Sequence, residues 1–281
     1  MRLTASVVLF NTARKHIAAL FNSVVDSHCV DIFYVIDNSP NDKWRILEKE
    51  YAEAADASGM KIRYIHNANL GYGASHNLAM HEAIESGAEY HVVLNPDIYF
   101  GAEALPALVQ FMNENPDAGY VLPKVTYPNG EIQYLCKLLP TPSDLIFRRF
   151  LPKSWGVKRN DRYCLKSSGY DKVINPPCLS GCFMFMRLST LQKNDIFFDD
   201  GYFMYCEDFD LIRRLHRVAK TLYYPGVTIV HDYARESYKS RKMLLVHIRS
   251  AVRYFNKFGW VFDKERNMMN KQILGEIECK L

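Results

Sequence analysis

The chain has 281 residues, of which 48% are apolar and 23% charged, with a formal net charge of +4. That composition excludes a disordered or fibrous protein, and the length is enough to bury a core without disulfides. The charge is unevenly placed: residues 137–172 and 235–281 each carry a net +6, leaving −8 on the rest, so two basic segments sit on an acidic body and suggest contact with anions.

The first 120 residues alternate strand and helix patterns. Residues 3–10 form a short apolar run, and residues 14–27 show helical spacing with Ile17, Leu20, Phe21, Val24 and Val25 on one face. A second buried-strand run, 32–36, ends in the turn signal Asp37-Asn38-Ser39-Pro40. One helix is expected over 42–57, stopped by Ser58-Gly59, and a third strand over 61–65. The loop 67–73 leads into a helix reaching Ser86-Gly87. A fourth strand, 90–94, ends at Asn95-Pro96-Asp97, then come a helix over 102–114 and a fifth strand over 119–122. Strands alternating with helices of this length indicate βαβ units and a parallel sheet.

Beyond this the pattern changes. Asn129-Gly130 is a hairpin-type turn. Residues 137–172 are basic, aromatic and irregular, and an apolar run over 178–186 follows Pro176-Pro177. A helix is expected over 206–218, two short strands over 221–224 and 227–230 around Pro225-Gly226, and a final amphipathic helix over 239–258. The expected organisation is one α/β domain in three parts: a ligand-binding half over 1–125, a second half over 126–235, and a basic helical region over 236–281. The seven cysteines show no zinc-type spacing and read as reduced, buried thiols of a cytoplasmic protein. The apolar stretch 5–10 is too short for a secretory leader. No run approaches the roughly 18 apolar residues a spanning helix needs, so membrane contact would be peripheral.

In open parallel sheets, ligands bind beyond the carboxyl ends of the strands. The candidates there are Asn11, Asp37, residues 69–73 and Asn95-Pro96-Asp97, although Asp, Asn, Gly and Pro also make turns for purely structural reasons. Gly71-Tyr72-Gly73 is not a dinucleotide fingerprint. The glycines come after the third strand, and the acid Asp37 precedes them. The glycines are expected to let backbone approach a ligand closely. Asp97 could ligate a divalent cation, with His231 supplying a nitrogen, although a lone strand-end histidine is more often structural. Glu207, Asp208 and Asp210 open a helix, where the dipole favours acids, and a carboxylate there could equally be a general base.

Together these residues resemble the family 2 inverting glycosyltransferases of the GT-A fold, over nearly the whole chain. The resemblance rests on the first strand, Asp37-Asn38-Ser39, Asn69-Leu70-Gly71-Tyr72-Gly73 with Asn77, Leu94-Asn95-Pro96-Asp97, the 203–211 stretch around Glu207-Asp208, and His231. Residues 231–237 and 254–260 are most similar to the bacterial rhamnosyltransferases of O-antigen and cell-wall polysaccharide assembly. The resemblance implies a nucleotide-binding, mostly parallel sheet with a less regular acceptor-binding second half. It implies that Asp37 accepts the imide N–H of a uracil or thymine ring, that the backbone of Val8 and Phe10 lines the base pocket, and that Asn69, Gly71, Gly73 and Asn77 hold ribose and diphosphate. Asn95-Pro96-Asp97 stands where the family has an Asp-x-Asp metal motif, its first Asp being Asn95 here. Asp97 and His231 would then hold Mg²⁺ or Mn²⁺, and Asp208 would be the catalytic base with Glu207 beside it. The implied donor is a dTDP- or UDP-sugar, above all dTDP-L-rhamnose. The implied acceptor is a saccharide, often on a polyprenyl diphosphate at the inner face of the cytoplasmic membrane. Two candidate membrane contacts are a basic amphipathic helix near 243–262 and the stretch Phe147-Arg148-Arg149-Phe150-Leu151. Two other classes compete. A sugar nucleotidyltransferase would want a basic, Gly-rich loop after the first strand, where Phe10-Asn11-Thr12-Ala13 stands, and a non-catalytic polysaccharide-binding protein would not need Asp208.

Overall fold

A computed structural model describes residues 2–145, 157–232 and 241–279. The candidate contact at 147–151, and residues 233–237 of the subgroup signature, lie outside these. The first half is built as its sequence dictates. Strands β1 (Leu3–Leu9), β2 (Ile32–Asp37), β3 (Lys61–His66) and β4 (Tyr90–Leu94) run parallel, with β1 between β2 and β4. β1, β2 and β4 are buried along nearly their whole length, as expected of parallel strands covered on both faces. Helix α1 (Arg14–Asp26) buries Ile17, Leu20, Phe21 and Val24, one helical stripe worth about 1.5–3 kcal/mol per large side chain. Helix α4 (Tyr72–Glu85) is buried at Gly73, Ala74, Ala79 and Ala83, small residues that let it lie close to the sheet.

The helix expected over 42–57 is broken. A 3₁₀ turn, Lys43–Arg45, leads into α2 (Ile46–Glu50), and α3 (Ala52–Ser58) follows after Tyr51, whose ring packs against Phe21 at 4.4 Å. Gly59, at φ 75°, ends α3. After β4 the three-residue strand β5 (Ile98–Phe100), α5 (Ala104–Glu114) and β6 (Ala118–Thr126) follow. β5 was not expected; it is too short for periodicity to reveal.

The second half adds α6 (Pro142–Leu145), α7 (Val157–Tyr163), β7 (Phe183–Arg187), α8 (Leu188–Asn194), α9 (Glu207–His216), β8 (Lys220–His231), α10 (Arg241–Phe258) and α11 (Lys264–Glu278). The eight-stranded sheet has the order β3-β2-β1-β4-β7-β6-β8-β5, with β7 antiparallel to β4 and β6, and β5 antiparallel to β8. The two short strands expected around Pro225-Gly226 are one strand, β8, whose pairing with β6 slips at Pro123/Lys124. α10 is not the final helix: α11 follows, burying Arg266, Met269, Ile273 and Ile277. A small second core around Tyr202, Phe209, Tyr254, Phe255 and Met269 seats α9, α10 and α11 together. All seven cysteines are free; five are buried, Cys29 is half-buried and Cys279 exposed. Among the described residues no helix is long and apolar enough to cross a membrane.

Candidate active site

The loops after β1, β2 and β3 lace together at the carboxyl edge of the sheet. Asn38 N–H donates to the Leu9 carbonyl (2.8 Å), Asn67 N–H to the Asp37 carbonyl (3.0 Å), and Asn11 N–H to Ser39 Oγ (3.0 Å). They enclose a cavity of about 410 Å³ lined by Phe10, Asn38, Ser39, His66, Asn67 and Asn69. Asp37 lies under its floor, 0% exposed, accepting Ser39 N–H (2.9 Å) and Tyr64 O–H (2.7 Å). Its carboxylate is therefore one layer behind the cavity wall, covered by the groups it holds. Val8 lies in the β1–β2 ladder opposite Ile36, and Phe10, half-exposed, forms the cavity rim.

Asn38 was not singled out as a ligand by the sequence, yet its amide is distinctive. Its Nδ2 donates to Ser75 Oγ (2.7 Å), and Ser75 Oγ donates onward to the Gly71 carbonyl (2.7 Å), which fixes the orientation of the amide. The Asn38 Oδ1 is left buried without a partner, an unmet acceptor of the kind that native structures rarely leave.

The glycines do not behave as expected. A Cβ on Gly71, at φ 97°, would lie 2.3 Å from the Phe203 carbonyl, and one on Gly73 would lie 2.7 Å from Phe198 Cβ. The close approach they permit is to the chain's own 198–203 segment, and Tyr72 N–H donates to the Phe203 carbonyl (3.0 Å). Asn69 Oδ1 accepts Gly71 N–H (3.2 Å) and closes this loop. The Asn77 amide bonds Phe198 O (2.9 Å), Phe198 N–H (3.0 Å) and Asp200 Oδ1 (2.9 Å), so it ties α4 to the same segment and is not turned toward a ligand.

Asp97 and His231 meet where β5 pairs with the end of β8. His231 Nε2 lies 3.3 Å from Asp97 Oδ1, and Asp232 N–H donates to the Asp97 carbonyl (2.9 Å). Gln133, beyond the Asn129-Gly130 turn, fixes the ring. Its Nε2 donates to the His231 carbonyl (2.7 Å) and more weakly to the Thr126 carbonyl (3.3 Å), so its Oε1 accepts from His231 Nδ1 (3.0 Å). With Nδ1 carrying that proton, Nε2 faces Asp97. Burial disfavours the imidazolium, but Cys182 and Asp97 beside it outweigh this and raise the His231 pKa to about 10. No group of three or more His, Cys, Asp or Glu able to hold a metal occurs among the described residues. One carboxylate and, once its Nε2 proton is displaced, one imidazole suit a divalent cation that completes its shell with substrate phosphate and water.

The acids at the start of α9 divide into different environments. Tyr205 and Cys206, both left-handed at φ 69° and 64°, turn the chain into the helix. Asp210 is fully buried and paired with Arg214 (2.5 Å) and Lys257 (2.6 Å), which is a structural role. Glu207 is buried with Oε2 unpartnered, and its pKa is raised by burial and by the charge of Asp208. Asp208 accepts Gly181 N–H at Oδ2 and Phe209 N–H at Oδ1, both at 2.9 Å. Its pKa is raised by burial, against the charge of Lys137 and these N–H groups.

Residues 180–183 join the two acidic sites. Asn95 N–H donates to the Cys182 carbonyl (2.9 Å), so Cys182 is bonded to the Asp97 loop and Gly181 to Asp208. Tyr72 O–H donates to the Gly181 carbonyl (2.8 Å), and Tyr120 O–H to the carbonyls of Ser180 (2.9 Å) and Phe183 (3.1 Å). Tyr72 ionisation is suppressed by its burial and by the charges of Glu207, Cys182, Asp208 and Asp97 around it. A Cβ at Gly181 would lie 2.9 Å from Asp208 Cβ. The sequence did not point to Gly181 or Gln133 as site residues, and it flagged Tyr72 only as part of the 69–73 loop; the glycine inside the apolar run 178–186 was the one available signal for Gly181.

The family model described as "Glycosyl transferase family 2" matches residues 5–205, spanning β1 to the turn before α9. The chain belongs to this glycosyltransferase family. It is 30% identical to rhamnosyltransferase WbbL of Escherichia coli K12 over 201 residues, covering 69% of this chain and 73% of that one. It is 26% identical to the N-acetylglucosaminyl-diphospho-decaprenol L-rhamnosyltransferase of Mycobacterium tuberculosis over 183 residues, covering 60% of this chain and 58% of that one. Among solved structures it resembles TarS 1–349 of S. aureus in complex with UDP-GlcNAc, with a TM-score of 0.61 and 17% identity, over 98% of this chain and 72% of that one. It also resembles a mannosyltransferase from Pyrobaculum calidifontis in complex with GDP-Man and Mn²⁺, with a TM-score of 0.60 and 16% identity, over 90% of this chain and 64% of that one. These neighbours share the GT-A fold expected from the sequence.

Proposed function

We propose that this glycosyltransferase moves L-rhamnose from dTDP-L-rhamnose to a hydroxyl of a saccharide carried on a polyprenyl diphosphate, with inversion, in the assembly of a bacterial O-antigen or other cell-surface polysaccharide. The observation that carries the reading is the attachment of both acidic sites to adjacent residues, Asp97 through Asn95 to Cys182 and Asp208 to Gly181. The names of the two relatives support rhamnose, and that of the second supports a lipid-linked acceptor. The pyrimidine fits the cavity beside Phe10. Asn38 lines that cavity, with Asp37 holding the wall behind it.

Asp97 and His231 would hold a divalent cation, which neutralises charge on the diphosphate leaving group when bound. Asp208 accepts the proton of the incoming hydroxyl. The new bond forms between the acceptor oxygen and the anomeric carbon as the bond from that carbon to the diphosphate oxygen breaks. One displacement inverts the centre. Burial makes Asp208 a stronger base than a solvated aspartate, while Lys137 and two backbone N–H groups favour its ionised form. Glu207, more deeply buried, shapes the field around it.

The test is release of free nucleoside diphosphate from a panel of sugar nucleotides, by wild type and Asp208→Asn, with a lipid-linked acceptor. Preferential turnover of dTDP-rhamnose is expected. Asp208→Asn is expected to lose about 10²–10⁴-fold in transfer with nucleotide binding unchanged. Preference for another donor sinks rhamnose, and full activity in the variant removes Asp208 from the base role.

A further inference from the structure

The α10–α11 turn is held rigidly and yet exposes apolar side chains. Asp263, the N-cap of α11, receives a bidentate pair from the buried Arg213 (2.7 and 2.8 Å) and the N–H of Arg266 (2.9 Å). The Arg266 guanidinium donates to the carbonyls of Trp260 (3.4 Å) and Val261 (3.0 Å). Gly259, at φ 106°, has the Phe262 carbonyl 2.9 Å from where a Cβ would sit. On this clamped turn Phe262 is 95% exposed, Val261 71% and Trp260 38%. Single exposed apolar residues are ordinary, but three in succession on a fixed turn form a designed protrusion. The helix expected over 243–262 ends at Phe258, which takes these residues off the helix and onto its tip.

A cationic groove continues from the tip. Trp260 Nε1 donates to Asn256 Oδ1 (2.8 Å), which puts the tip on the face of α10 that carries Arg249, Arg253 and Lys257. With Asp199 these residues line a cavity of about 560 Å³. Arg253 and Lys257 are paired with Asp199 (2.7 and 2.9 Å), and Lys257 also with Asp210 (2.6 Å). Arg249 and Lys264 are exposed and have no carboxylate partner among the described residues. Across the 198–204 segment lies the cleft: Asp199 faces the groove, Asn77 holds Asp200, and the Phe203 carbonyl bonds Tyr72 N–H.

We infer that the α10–α11 turn docks this enzyme on an anionic bilayer, with Trp260, Val261 and Phe262 entering the boundary between headgroups and acyl chains and the α10 groove receiving a lipid phosphate. An apolar wedge at the end of a helix face that carries Arg249, Arg253 and Lys257, the first of them without a carboxylate partner among the described residues, is complementary to an anionic lipid surface. The inference rests on the proposed function only in that a lipid-borne acceptor would then arrive beside the cleft.

The test is co-sedimentation of the full chain with vesicles of phosphatidylcholine alone or mixed with phosphatidylglycerol, with donor hydrolysis measured on the same samples without vesicles. Wild type is expected on the mixed vesicles and not on phosphatidylcholine alone, and added salt should release it. Phe262→Asp, at a position with no packing to lose, should lower the bound fraction about tenfold or more with donor hydrolysis unchanged. Arg249→Glu should weaken binding to the mixed vesicles only. Wild type that ignores anionic vesicles while hydrolysing donor overturns the inference and leaves the enzymatic reading standing. So does Phe262→Asp that binds like wild type. A fall in solution mass of Phe262→Asp would reassign the tip to contact between copies of this chain. Vesicle binding without donor turnover would sink the enzymatic reading alone.

Discussion

The two halves of the sheet organise their sites differently. Around β1, β2 and β3, each loop follows directly from the strand that precedes it, and the cavity follows from parallel strands ending at one edge. Around β7 and β8, the functional groups are held by partners far away in sequence. Gln133 fixes His231, Gly181 fixes Asp208, and Tyr72 from the first half fixes Gly181. The pocket rests mainly on backbone hydrogen bonds between neighbouring strand-end loops, whereas the proposed catalytic side depends on a few hydrogen bonds made by side chains. Substitutions in those bonds should therefore disturb the acids and the cation site while leaving metal-free nucleotide binding intact.

The largest effect is expected at Gly181. The methyl of Gly181→Ala would meet Asp208 Cβ at 2.9 Å and push the carboxylate off its backbone donor. Transfer should fall about a hundredfold, while calorimetric affinity for dTDP stays as in wild type. Equal losses in both would break the division between the halves. Next comes Gln133→Leu, which removes the acceptor for His231 Nδ1. Mn²⁺-dependent nucleotide affinity should drop about 10–100-fold, with metal-free affinity unchanged, and an unchanged Mn²⁺ response would detach Gln133 from the cation site. The smallest effect is expected from Lys137→Met. Lys137 lowers the Asp208 pKa, so its removal raises it. A base must be ionised to act, so the acidic limb of the pH–rate profile should move to higher pH with the plateau nearly retained. A limb that moves to lower pH or stays put would contradict the electrostatic role.

This division also explains what the sequence revealed. The runs at 3–10, 32–36 and 90–94 announced buried parallel strands, and the polar residues at their ends announced the cleft. β8 was read as two strands because Pro225-Gly226 is ordinarily a break, yet a slip in pairing absorbs it there. α11 escaped notice because its buried positions include Arg266, whose charge hides an inward face. Tyr51 interrupts a helix that propensity alone would continue, because its ring packs on Phe21. Asp97 and His231 could be flagged as candidate cation ligands by type and position, and Asp208 as the candidate base only through the family resemblance. Gln133 and Gly181 could not, and Tyr72 stood out only as part of the 69–73 loop, because their contacts exist only once the chain has folded.

The most direct test is a crystal structure of the protein with Mn²⁺ and an unreactive dTDP-sugar. The account predicts Mn²⁺ bound by Asp97, His231 and the diphosphate, and the Asp208 carboxylate on the opposite face of the anomeric carbon. A sugar pointing away from Asp208, or a diphosphate held without Asp97, would contradict it.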